Sequence, residues 1–234
     1  MLVRAEGERL RLVTQPDHAS FAAELLSLFR LPELVSHPRR RDLLRATRLH
    51  DNGWRELDAA PPVDPGTGLP HTFIDLPPSL RLEVWDRGTG RYADADPYAA
   101  LLTTEHALSL FAGESERPGW RELLPRLAER RDELLPRCGL ERSELAADYR
   151  WLDLADRLSL VACNAWIEPF ECHGFRGSFT EEGLSLSPFP LAGTTTLNVP
   201  CRLIPARRYA GDADLGNALA SARWGSFPVR VVPA

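Results

Sequence analysis

With 234 residues, 44% of them hydrophobic, the chain can bury a sizeable core, and its length fits one domain with an appendage better than two independent ones. A formal net charge of −5 at pH 7 and a pI near 5.7 leave no basic footprint for nucleic acid or an anionic membrane, so neither partner is expected. All 28 basic residues are arginine, a bias that fits a GC-rich coding sequence. Cys138, Cys163, Cys172 and Cys201 form no CxxC pair and read as reduced thiols. Met1 to Arg11 is charged every few residues, unlike a signal peptide, and no segment approaches the roughly 20 apolar residues of a membrane span. The expectation is a soluble cytoplasmic protein.

Along the chain, alternation on both sides of Glu6-Gly7-Glu8 predicts a short N-terminal hairpin. From Asp17, read as an N-cap after Pro16, the period becomes helical, and His18 shares the face of Phe21, Leu25 and Leu28. A second helix is predicted from Arg39 to Asp51, stopping at Asn52-Gly53, with Leu43, Ala46, Thr47 and His50 on one face. Residues 52–96, rich in Pro, Gly and Asp, read as a long surface excursion with a short helix near Trp85. Asp96-Pro97 opens a third helix that turns His106 inward, and a fourth follows from Pro118 to Cys138 with Pro125 as a possible kink. The longest is expected over Ser143–Ile167, where Asp156 interrupts an apolar stripe of Leu145, Tyr149, Leu152, Cys163 and Ile167. After Pro169 come short alternating runs at 177–180, 184–187, 197–203 and 229–232, with a helix over Asp212–Arg223.

Imidazoles and carboxylates are costly to bury unpaired, so His18, the pair His50-Asp51, His106 and Asp156 on inward faces suggest a shared divalent cation. Each has a duller alternative: a backbone hydrogen bond for His18, an ion pair with Arg150 or Arg157 for Asp156. Cys172 and His173 beside Cys163 also hint at metal, but the spacing lacks a second half, and structural thiols are the better reading.

The order His18, His50-Asp51, Asp156, with Leu154-Ala-Asp-Arg-Leu-Ser159 around the last carboxylate, resembles the HD-domain superfamily of metal-dependent phosphohydrolases. More narrowly, Thr14-Gln-Pro-Asp-His18, Arg48-Leu-His-Asp-Asn-Gly-Trp54 with Asp58, and Asp64 to Phe73 resemble an uncharacterised bacterial family, domain of unknown function 3891. The resemblance implies a mainly α fold: an HD-like helical bundle over 15–168, with a small β layer from 1–14 and 169–234 in one domain. It implies His18, His50, Asp51 and Asp156 as ligands of manganese, iron, cobalt, nickel or zinc, one or two ions. A metal-dependent hydrolase of a small phosphoester or nucleotide follows, with Asp58 and His106 as catalytic assistants. Arg45, Arg48, Trp54 and His71 are candidates for contacting a phosphorylated small molecule, while Phe73 and Trp85 are candidate pocket walls. His71 as an added ligand would instead resemble the HD-type di-iron oxygenases, and a catalytically silent binding protein is a third reading. An oligomer is compatible with all three.

Overall fold

The computed structural model describes all 234 residues. The chain opens with the hairpin β1 (Leu2–Glu6) and β2 (Arg9–Val13), turning at Gly7, whose φ of 58° favours glycine. Helix α1 (Gln15–Ser27) is capped by Thr14, whose hydroxyl accepts the Asp17 N–H at 3.1 Å, so Asp17 lies in the first turn and not at the N-cap. After the short α2 (Pro32–Val35), α3 (Arg40–Leu49) ends at His50, and a 3-10 turn over Asn52–Trp54 leads into α4 (Arg55–Ala59).

The excursion expected over 52–96 contains a full helix, α5 (Pro78–Gly90). Gly53 packs directly on it: a Cβ there would lie 2.2 Å from the Val84 carbonyl oxygen, so only glycine permits the approach. Trp54, Leu76 and Val84 form a small core of their own at this junction. Helix α6 (Pro97–Leu110) starts as expected, with the Asp96 carboxylate accepting the Ala99 N–H. Helix α7 (Trp120–Arg137) continues through Pro125. Helix α8 (Arg142–Asn164) stops earlier than expected because Ala165 turns left-handed at φ 51°, leaving Ile167 71% exposed and outside the core stripe.

The remaining elements are β3 (Phe170–Cys172), β4 (Phe175–Thr180), β5 (Gly183–Ser187), β6 (Thr195–Pro205), α9 (Asp212–Ser221) and β7 (Trp224–Pro233). All seven strands join one sheet in the order β1-β2-β6-β7-β5-β4-β3, antiparallel except for β5 against β7. The expectation of a mainly α bundle with a small β layer is therefore overturned. About half the chain is helical and about a fifth is strand, and the seven strands curl into a half-barrel, giving an α/β fold. Sequence runs at 197–203 and 229–232 marked only the most regular parts of the 11-residue β6 and 10-residue β7. Those strands pair from Thr195 with Val231 to Arg202 with Trp224, while Leu12 against Arg202 ties the N-terminal hairpin to them.

The sheet helps build the main core. Leu197, Val199 and Cys201 of β6 and Val229 and Val231 of β7 alternate inward and share one cluster with Phe21, Leu25, Leu101, Leu152 and Leu158. Its other cluster packs Leu10, Leu12 and Ile204 against Leu215 and Leu219 of α9. Helices α1 and α8 lie on the sheet, α3 packs on α1 and α6, and all four present one interior face to each other. No helix is long and apolar enough to cross a membrane.

Candidate metal centre

His18, His50, Asp51 and Asp156 converge so that one ligand atom from each lies within 4.8 Å of the others. All four are buried, and they arrive from α1, the end of α3 and the middle of α8. The His18 Nε2 lies 2.7 Å from Asp51 Oδ2 and 3.7 Å from Asp156 Oδ1. The His50 Nε2 lies 3.3 Å from Asp156 Oδ1 and 3.5 Å from Asp51 Oδ2.

The opposite edge of each ring is held by the fold. His50 Nδ1–H donates to the Thr47 carbonyl at 2.6 Å, leaving Nε2 as the lone-pair nitrogen in the neutral ring. His18 Nδ1 meets Ser159 Oγ at 2.7 Å, and Ser159 donates in turn to the Asp156 carbonyl at 2.8 Å. Ser159 thus links two of the four residues, and such orienting contacts behind the ligands are characteristic of metal sites.

Electrostatics point the same way. Burial opposes charge on His50, yet Asp51 and Asp156 outweigh it and draw the imidazole up to about 9. Asp156 is held well below the usual carboxylate range, with His50 as the main source overcoming its burial. Asp51 is also lowered against its burial, by His50 and His18, although Asp156 pushes it the other way. In the metal-free protein a protonated His50 answers part of the negative charge of the two carboxylates; no arginine does, and with the imidazoles neutral, as ligation requires, the charge falls to a cation. Arg150 pairs with Glu33 at 3.7 Å and Arg157 is exposed, so neither alternative partner reaches Asp156. Two imidazoles with two carboxylates neutralise a divalent transition ion, and the donor set fits one.

His106 joins this group from α6, with Nε2 3.8 Å from Asp156 Oδ2 and Nδ1 3.2 Å from the Tyr149 hydroxyl. Burial pushes its pKa below the usual range, which keeps the ring neutral. A cavity of about 240 Å³ opens beside the centre, lined by His18, Asp51, His106 and Asp156 together with Gln15, Trp54, Phe73, Trp85, Phe111 and Leu160. Arg81 is its single arginine, and its Nη2 donates to the Ile74 and Leu76 carbonyls at 2.7 and 3.1 Å.

The other residues singled out in the sequence lie elsewhere. Asp58, on α4, is buried against the first residue, its Oδ1 2.8 Å from the Met1 amine and its Oδ2 accepting the Gln15 N–H at 2.5 Å. Burial holds its pKa above the usual carboxylate range despite the Met1 ammonium. Arg45 pairs with Asp96 at 2.8 Å, Arg48 is exposed, and His71 lies 3.4 Å from Asp75; none of these, nor Asp58, lines the cavity. Trp54 does line it.

Sequence reading did not find Gln15, Arg81 or Phe111. Gln15 sits between Thr14 and Pro16 without periodic company, and the last two belong to segments whose packing only the fold reveals. Tyr149 is visible as a member of the α8 stripe and Ser159 as the end of the Leu154–Ser159 segment, but not as partners of His106 and His18.

No curated protein and no solved structure matches the chain. One family does, over residues 1–206, a span that takes in the hairpin and every residue of the centre. The chain belongs to the family described as "Protein of unknown function (DUF3891)".

Proposed function

We propose that the chain is a metal-dependent hydrolase acting on a small phosphoester, with His18, His50, Asp51 and Asp156 holding the ion. The carrying observation is that these four side chains converge, and that three of them, His18, Asp51 and Asp156, line a cavity with a single arginine and several aromatic walls. The likeness of their order to the HD-domain superfamily supports phosphoester chemistry as the reaction. When bound, a divalent ion of this class lowers the pKa of coordinated water towards neutrality and polarises a phosphoryl oxygen.

The protein's own groups supply the rest. His106, neutral and lining the cavity, can take a proton through Nε2 while Tyr149 holds its Nδ1 side. Trp54, Phe73 and Trp85 exclude water and receive an apolar substrate body, which favours a simple phosphoester over a polyphosphate. Asp58 acts at one remove: by accepting the Gln15 N–H it fixes a residue that lines the cavity. His71, which a second iron would need in the oxygenase reading, faces Asp75.

The test is turnover of a panel of generic phosphoesters and nucleotides by the purified chain with manganese, cobalt or iron. Hydrolysis that disappears in both His50→Ala and Asp51→Ala is the expected result. Hydrolysis that survives in those variants, or no hydrolysis with any of the three ions, contradicts the proposal. Iron content with oxygen uptake would identify the oxidative alternative.

A further inference from the structure

A second set of ligand-type side chains lies outside this centre. Asp153, one turn before Asp156 on α8, meets Cys172 and His173 at the tip of the β3–β4 hairpin, with one ligand atom from each within 4.8 Å of the others. His173 Nε2 is 2.8 Å from Asp153 Oδ2, and the Cys172 thiol donates to the same oxygen at 3.7 Å. The hairpin turns on His173 and Gly174 at φ 49° and 82°, which places thiol and imidazole side by side over the helix.

The remaining carboxylate oxygen is held from behind. Tyr149 O–H donates to Asp153 Oδ1 at 3.4 Å, leaving Oδ2 for the cluster, and the same hydroxyl lies 3.2 Å from His106 Nδ1. An oriented carboxylate, an imidazole and a thiol are a donor set that discriminates strongly. The sulfur favours zinc, cobalt or cadmium over magnesium and calcium, and a thiolate with a carboxylate neutralises a divalent ion. The three residues are half-buried or exposed, so water can complete a tetrahedron.

We propose that Asp153, Cys172 and His173 form a peripheral site for a thiophilic divalent cation. The ion would fasten the hairpin at the β3 edge of the sheet to α8, the helix that carries Asp156. Binding releases the Cys172 proton to solvent and forms a metal–sulfur bond, with no change of oxidation state. The proposal does not depend on the phosphohydrolase reading, because the buried centre contains no sulfur.

The experiment is titration of the full chain with cobalt(II) alone under reducing conditions, followed by absorption and by ion analysis. The wild type is expected to develop a near-ultraviolet sulfur-to-cobalt charge-transfer band that saturates. Cys172→Ser should lose that band and take up one ion fewer per chain. His173→Asn, in which asparagine tolerates the positive φ, should weaken the band's apparent affinity by at least about tenfold. Absence of the band in the wild type, its persistence in Cys172→Ser, or unchanged affinity in His173→Asn would overturn the proposal. If Cys172→Ser does not fold, the His173→Asn titration decides alone.

Discussion

Asp148 and Asp156 lie about two turns apart on α8. Both are buried, and the fold treats them in opposite ways. Asp148 receives the Tyr98 hydroxyl at 2.7 Å, the His37 ring at 2.8 Å and the Arg39 guanidinium at 2.9 Å. The chain supplies its countercharge, and the carboxylate fastens the segment before α3 to α6 and α8. Asp156, with Asp51 beside it, meets only imidazoles whose outer nitrogens are occupied elsewhere. A buried acid with an arginine is a structural tie; two buried acids met only by imidazoles, which can give up their protons and turn nitrogen lone pairs inward, are a donor set for a cation.

The sharpest way to break this comparison is to exchange the consequences. Asp156→Asn should leave the fold intact by circular dichroism and lower transition-metal affinity by more than about 100-fold, read by competitive chelation. Asp148→Ala should do the reverse, costing about 3 kcal/mol in urea unfolding because Arg39 and His37 lose their partner, with metal stoichiometry unchanged. Should Asp148→Ala abolish metal uptake while Asp156→Asn does not, the two acids have been assigned the wrong way round.

A smaller effect tests the orienting contacts. Ser159→Ala frees the His18 ring and should cost roughly tenfold in metal affinity with no change in stoichiometry, measurable by isothermal titration. An unchanged binding isotherm would remove Ser159 from the account.

The least disruptive probe is pH. In metal-free protein the His50 pKa is raised from 6.5 to about 9, so its stabilising charge is fully present below 6.5 and is lost as pH rises through about 9. Unfolding midpoints of the metal-free chain should fall across that window and do so less in His50→Gln. Metal affinity should move oppositely, rising with pH as His50 gives up its proton. A flat stability profile in the metal-free wild type would contradict the charge demand assigned to the centre.

The same contrast explains what was legible in the sequence. Asp156 broke an apolar stripe and His18 shared a face with Phe21 and Leu25, so period and chemistry together exposed them. Asp148 belongs to the same helix, yet its partners at 37, 39 and 98 lie on segments whose approach no local pattern encodes. The sheet was underestimated for a related reason. The strands were partly visible through alternation, but the pairing of β2 with β6 and of β5 with β7 is non-local, and it joins three small groups of strands into one seven-stranded sheet. Helix α5 was shortened because Gly88 and Gly90 lower local helix propensity, whereas packing against Gly53 and Trp54 stabilises it. Arg45 and Arg48 were selected by proximity in sequence to His50-Asp51, and the turn of α3 carries both away from the cavity.

The most direct test of the buried centre is metal analysis of the purified chain beside the His50→Ala and Asp51→Ala variants, after loading with manganese, iron, cobalt, nickel or zinc and removal of excess ion. The account predicts an ion retained by the wild type that both variants lose while remaining folded. Retention of the same ion content by both variants, or no retention by the wild type with any of the five metals, would contradict it.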